Sequence, residues 1–340
     1  MAFLEDNSIT RYTTPPNNYI GSTLFISYIV AALYLTATIS YSLYTKYTNV
    51  FHSGSSSSPS NSKQKATEAV KNARARHIKI YTALALISFT SISWHMLSFL
   101  ITSFLDWNNY LPRNIFTALS DHAPQKLKTW MLETSLFNSF AVQLVADGES
   151  AIWTQLALLA TWAWNLWLAH KARQYNFTPT QILPFIVLGQ TLPISFTAAL
   201  FIIHLHLSAP DLVGQKQQHP EQPNRPIASP LIPSILLNAL LLAQPPLRSH
   251  PNFSFLVLAE RVLLTLPHTG LLRLGGAEAK KSAAVSGGFV VAHWAGLRKG
   301  VSVWGVCRAL VGGGGAVKAL GWDAVMGVVV WGVLSWGGGV

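Results

Sequence analysis

The chain has 340 residues, half of them hydrophobic and only 11% charged, with a formal net charge of +11. A soluble domain carries about 25% charged residues. The apolar residues here also fall in runs long enough to cross a bilayer, which sets a soluble globular fold aside. The basic residues lie in short segments between those runs, and no zinc-finger, RNA-recognition or basic-zipper spacing occurs. That placement excludes nucleic acid as a partner and fits contact with the bilayer and its anionic headgroups.

Residues 1–19 are polar and net acidic, with Glu5 and Asp6 against Arg11. The run that follows, Ile20 to Tyr44, is longer than the core of a signal peptide and reads as a retained span. Lys46, Lys63, Lys65, Lys71, Arg74 and Arg76 stand against one Glu68 in the Ser-rich stretch 45–77. The excess of positive charge predicts a disordered cytosolic loop there, with a lumenal N-terminus. A second span is predicted from Ile78 to Leu105. Within it Ser88, Ser91, His95, Ser98 and Thr102 form a polar stripe that belongs against other helices.

The mixed segment Asp106–Lys128 suggests a short surface helix. Trp130 to Ala146 is ambiguous, because it is apolar yet carries Glu133, Asn138 and Gln143. A full crossing would put Lys171 and Arg173 in the lumen; a re-entrant segment would put them in the cytosol. A clear span runs from Ser150 to His170. Another is expected from Gln181 to Leu207, kinked at Pro184 and Pro193, with Gln190, Thr197 and His204 on one face.

Beyond the Pro- and Gln-rich loop 209–230 come two short apolar runs, Leu231–Ala243 and Phe253–Leu266. Past Thr269 lie 18 of the 23 glycines, with one or two spans plausible over Ala283–Gly312 and Ala319–Trp336. The sum is an all-α polytopic bundle of about seven transmembrane spans, between six and eight. It has a core at 20–266 and a Gly-rich region at 267–340.

Ionisable groups at membrane depth are costly, so they mark candidate sites. Glu133, Asp147, Glu149, His95, His204, Glu260 and Asp323 qualify. Glu260 is followed by Arg261 and reads as a structural ion pair or a helix end at the interface. His204 and His206, two apart on a helix, point different ways and make no metal pair. Cys307 is the only cysteine, which leaves neither an internal disulfide nor a Cys-based metal cluster. Asp147 and Glu133 are the better acids, since a carboxylic acid in an apolar pocket keeps its proton for donation. Trp153, Trp164 and Trp167 share a helical face that could line a cationic intermediate or simply pack. Walker, dinucleotide-binding, nucleophile-elbow and HExxH motifs are absent.

Trp130-Met131-Leu132, Thr134-Ser135-Leu136-Phe137, the stretch from Trp153 through Trp164-Asn165, Leu188-Gly189-Gln190, Leu192-Pro193-Ile194-Ser195-Phe196 and Leu320-Gly321-Trp322-Asp323 together resemble a fungal family of integral membrane proteins. That family includes the membrane-bound terpene cyclases of ascofuranone and ascochlorin type. The resemblance implies an enzyme of the endoplasmic reticulum that cyclises a hydrophobic prenylated, epoxidised aromatic substrate by acid initiation, with no cofactor. It implies Asp147 as acid, aromatic walls at Trp130 and Trp153, and Gln155, Asn165 and Gln190 orienting substrate oxygens. The chain departs from the pattern at Ser139, Val142, Lys171, Ala198 and Ala199. A non-enzymatic or transporter-like protein of the same fold therefore stands as the alternative.

Overall fold

Inside a bilayer every backbone N–H and C=O must be satisfied within the protein, and long apolar runs achieve this as helices. The computed structural model describes residues 15–52, 62–108, 123–208, 228–250, 253–297 and 300–336. The expectations for the first 14 residues, the Ser-rich 53–61, the segment 109–122 and the loop 209–227 lie outside them.

Among the described residues all regular structure is helical, with one isolated β-bridge between Ala228 and Leu272. The helices are α1 (Tyr19–His52), α2 (Ser62–Trp107), α3 (Ala123–Glu133), α4 (Leu136–Leu144), α5 (Gly148–Gln174), α6 (Pro179–Thr191) and α7 (Ile194–Leu207). They continue with α8 (Leu231–Leu247), α9 (Phe253–Thr265), α10 (Gly276–Leu297), α11 (Val303–Gly312) and α12 (Gly315–Trp336), and a 3₁₀ turn, Leu266–Thr269, follows α9. Three stretches are long and apolar enough to cross a membrane: Tyr19–Phe51, Glu68–Trp107 and Gly315–Trp336. Large apolar side chains such as Leu24, Val30, Leu86, Trp94, Leu258 and Trp304 face outward, a surface suited to lipid.

The bundle has two ends. At one, Lys46 of α1 reaches His204 of α7 (3.5 Å), and His77 of α2 packs beside His206. Lys71, Arg74, Arg76, Lys79, Lys171, Arg173, Arg273, Lys280 and Lys281 belong to this same end, with only Glu68 and Glu278 to offset them among the described residues. At the other end, Asn18 bonds to Leu132 and Trp107 to Glu133, so the start of α1 and the close of α2 both meet α3.

Four expectations change against this frame. The stretch 45–77 is not a continuous loop: α1 runs on to His52 and α2 begins at Ser62. Lys, Ala, Glu, Gln and Arg dominate 63–77, and all are strong helix formers. Trp130–Ala146 is two short helices broken at Thr134–Ser135, held near the end opposite the basic one. α5 therefore carries Lys171 and Arg173 to the basic end.

Gln181–Leu207 is not one kinked span. Pro193 cannot continue a helix and pushes Leu192 into extended backbone (φ −120°, ψ 174°). α6 and α7 then fold back on each other, with Phe185 5.4 Å from both Phe201 and His204 between ring centroids. The result is a helical hairpin whose two outer ends both lie at the basic end. Ala283–Gly312 also divides, into α10 and α11, where Ser302 caps α11 by accepting from Gly305 N (2.8 Å).

All residues of α7 are buried, as expected for a helix that is apolar all round. Around it pack Tyr81, Leu188, Trp164 and Val330. Two glycines of α12 allow close approach. A Cβ on Gly315 would stand 2.9 Å from Phe99 Cβ, and one on Gly327 would stand 3.2 Å from Trp164 Nε1. These contacts bring α12 hard against α2 and α5.

Candidate functional site

The residues singled out from the sequence do not converge on one pocket. Trp130 is buried against α2, edge-on to Phe104 at 5.7 Å, with its indole donating to Ser103 Oγ (3.4 Å). Glu133 is exposed and accepts from Trp107 Nε1 (2.8 Å). Asp147 is also exposed and caps α5 by accepting from Ser150 N (2.7 Å). Neither acid sits in the apolar pocket that proton storage requires. Trp153 donates to Val306 O (2.7 Å), and Trp164 stacks edge-on with Trp331 of α12 (5.7 Å). That aromatic face is used for packing.

Gln155 and Asn165 lie on the opposite face of α5. Two residues beyond Trp153, Gln155 is rotated by about 200° around the helix. Both are 1% exposed and both meet a histidine. His293 Nδ1 donates to Gln155 Oε1 (2.8 Å), and His268 Nε2 donates to Asn165 Oδ1 (2.9 Å). His268, in the turn after α9, has its imidazole pushed down to about 4 by burial, with Arg173 adding to the effect. It is therefore neutral at pH 7 and fits the donor role.

Between these pairs runs a polar seam formed by α5, α8 and α10. Trp162 Nε1 donates to Ser234 Oγ (3.0 Å) and Ser282 Oγ (3.2 Å), and the two hydroxyls bond to each other. One turn on, Asn238 Nδ2 donates to Ser234 O (2.8 Å) and Ser286 Oγ (3.1 Å). Polar positions four apart on α8 (234, 238) and on α10 (282, 286) make each rung, as helical periodicity dictates.

Farther along α8, Gln244 Nε2 donates to Glu260 Oε2, joining α8 to α9. Glu260 is 1% exposed, and its Oε1 has no protein partner among the described residues. A buried polar atom left unpaired costs about 1–3 kcal/mol, which singles Glu260 out as a candidate. Beside it an apolar groove of about 260 Å³ opens between α8 and α9, lined by Leu240, Leu247, His250, Phe255, Leu256 and Ala259. Leu240 and Leu247 share the helical face of Gln244, and Leu256 and Ala259 flank Glu260. The carboxyl thus belongs to a helix that also lines an exposed apolar groove.

A second buried acid behaves differently. Asp323 of α12 accepts from Ile194 N (3.0 Å), Ser195 N (3.0 Å) and Ser195 Oγ (2.6 Å), capping α7 at the tip of the hairpin. Ser88 bonds to Ser195, and Tyr28 donates to Thr191 O, so α1, α2 and α12 all hold the tip. Asp323 is fully engaged as a cap. Gln190, the last of the expected orienting residues, sits at this tip, with both amide atoms unpartnered among the described residues.

The sequence reading missed His268, His293 and the Gln244–Glu260 pair. The serines at 234, 282 and 286 and Asn238 were visible as polar positions at helical spacing inside apolar runs, but their partners lie far along the chain. Among the described residues no group of three or more His, Cys, Asp or Glu is placed to hold a metal ion. No family model, no curated protein and no solved structure matches this chain.

Proposed function

We propose that this chain is an integral membrane protein of the endoplasmic reticulum with seven crossings. In this reading it isomerises a hydrophobic prenylated small molecule by acid-initiated cyclisation, with Glu260 as proton donor in place of Asp147 or Glu133. The crossing count takes α1, α2, α5, α8, α9, α10 and α12 as the crossing helices, of which three are long and apolar enough to span a membrane by themselves. The α3–α4 pair and the α6–α7 hairpin return to the end from which they start. The concentration of Lys and Arg orients the basic end to the cytosol.

The observation that carries the chemistry is a buried carboxyl with one oxygen without a protein partner among the described residues, on a helix that also lines an exposed apolar groove. A substrate dissolved in the bilayer reaches such a groove sideways and leaves water behind. Glu260 then gives its proton to the terminal epoxide oxygen, the C–O bond opens to a hydroxyl and a carbocation, and the neighbouring alkene closes on the cation. Loss of a proton from the ring, taken up by the Glu260 carboxylate, restores the acid and leaves an isomer of the substrate. No cofactor is required by this sequence of steps. The resemblance to the fungal cyclases supplies the substrate class.

The test is expression in microsomes supplied with a farnesylated, terminally epoxidised aromatic compound, read by mass spectrometry and retention time. A product of unchanged mass is expected from the native chain, and none from Glu260→Gln at equal membrane abundance. A second reading, a non-enzymatic or transporter-like protein of the same architecture, draws on the groove's volume of about 260 Å³, small for a drug-sized ligand. Folded native protein that converts nothing, beside a control cyclase that does, selects this second reading.

A further inference from the structure

We propose that the cleft between α1, α4 and α9, at the end opposite the basic one, binds a singly charged oxyanion carried on a hydroxylated amphiphile, with Arg261 as its counter-ion. Arg261 stands half-buried inside α9 and makes no hydrogen bond or ion pair with the described residues. Its charge reaches the Tyr28 hydroxyl and the carboxyls of Glu260 and Asp323. Neither carboxyl is bonded to it: Glu260 takes Gln244, and Asp323 takes the N–H groups of the hairpin tip. A guanidinium carries its donors in a planar fork shaped for a carboxylate or a phosphodiester, and a charge at membrane depth is costly without a partner. With two carboxyls already in reach, one further negative charge suits the site and a phosphate dianion does not.

A cavity leads to this cation. About 320 Å³ opens between the start of α1, the turn from α3 into α4, and the start of α9. Its lining holds no charged residue, but presents the hydroxyls of Ser22, Thr134, Ser135 and Ser254 and the amide of Asn138. Asn18 and Ser22 fix the rim by donating to Thr134 O (3.1 Å) and Met131 O (2.7 Å). Gly21 of α1 and Ser254 of α9 both line the cavity, and seven residues on from each stand Tyr28 and Arg261. Seven residues are two helical turns, so Tyr28 and Arg261 continue the same two faces about 10 Å deeper. Phe137, also in the lining, meets Tyr28 edge-on at 6.0 Å, and Tyr28 is held by donating to Thr191 O. The cleft thus has a neutral polar mouth, an aromatic wall and a cation at its floor. Leu258, one turn from both Ser254 and Arg261, faces outward and gives an apolar tail its way into lipid. Leu256 and Ala259, which line the apolar groove, lie on the opposite flank of α9. The inference therefore does not depend on Glu260 acting as an acid.

The experiment is calorimetric titration of the purified full chain, in non-ionic detergent, with a dodecyl-substituted hydroxybenzoate and with its uncharged amide. The native chain is expected to bind the benzoate roughly tenfold or more tightly than the amide. Arg261→Gln is expected to abolish that preference and Arg261→Lys to keep part of it. Arg308→Gln, which removes an exposed cation on α11, is expected to leave it unchanged. Ser254→Leu narrows the mouth and is expected to weaken both ligands several-fold, which keeps the test open should Arg261→Gln fail to fold. Displacement of the benzoate by phosphatidylglycerol and not by phosphatidylcholine assigns the oxyanion to a membrane lipid, and retention of the benzoate assigns it to a free acid. Equal native affinity for benzoate and amide overturns the proposal. So does an undiminished preference in folded Arg261→Gln, or native affinity in Ser254→Leu. Failure of cyclisation with Arg261-dependent binding intact leaves this site standing without the enzymatic reading.

Discussion

Asp323→Ala tests whether the hairpin tip is fixed from α12. In the native protein the carboxylate accepts three hydrogen bonds, two of them from backbone N–H groups at the start of a fully buried helix. Alanine leaves Ile194 N and Ser195 N without an acceptor, at about 1–3 kcal/mol each. The Ser195 hydroxyl keeps Ser88 and loses little. The expected loss is therefore about 3–5 kcal/mol, among the larger effects of a single substitution. At roughly 2–4 °C per kcal/mol for a sizeable chain, the midpoint of thermal unfolding falls by on the order of 10 °C. Asp323→Asn keeps one carbonyl oxygen for the N–H groups and loses the charge, so about half that loss is expected. The assay is the fraction of monodisperse protein remaining in detergent after a temperature series. Glu133→Ala, which loses one exposed bond from Trp107, is the control, with a cost of about 1 kcal/mol or less. An Asp323→Ala midpoint no lower than that of Glu133→Ala refutes the clamp.

Two further outcomes separate the placements argued above. Asp147→Asn is expected to cost only a few tenths of a kcal/mol, because Asn caps helices about as well as Asp. It should retain whatever turnover the native chain has in the microsome assay, and loss of turnover at native abundance would return Asp147 to the chemistry. For topology, Cys307→Ala carries single cysteines at Asn72, Gln174, Ser208 or Ala146. A membrane-impermeant maleimide is expected to label the first three from the cytosolic side and Ala146→Cys from the other. Labelling of Gln174→Cys and Ser208→Cys from opposite sides would mean that α6 and α7 cross instead of returning.

The helices were legible in the sequence because long apolar runs have few other ways to satisfy their backbone in lipid, and Pro193 was legible as a disturbance of one of them. That the chain reverses at Pro193 was not, because the acceptor that makes the tip tenable, Asp323, lies 128 residues beyond Ser195. Some of the site was within reach. Trp153 and Gln155 are two residues apart, and 200° of helical rotation already forbids them a common wall. The same geometry bears on Glu260 and Arg261. Adjacent residues on a helix diverge by about 100° and do not face each other, so the neighbouring arginine was a poor choice of partner. The structure gives Glu260 to Gln244, sixteen residues earlier on another helix, and leaves one carboxyl oxygen without a partner among the described residues. What a sequence cannot express is the pairing of two such positions across a loop. It does express which of them point the same way, and in this chain that is the information that separates an aromatic packing face from a polar seam.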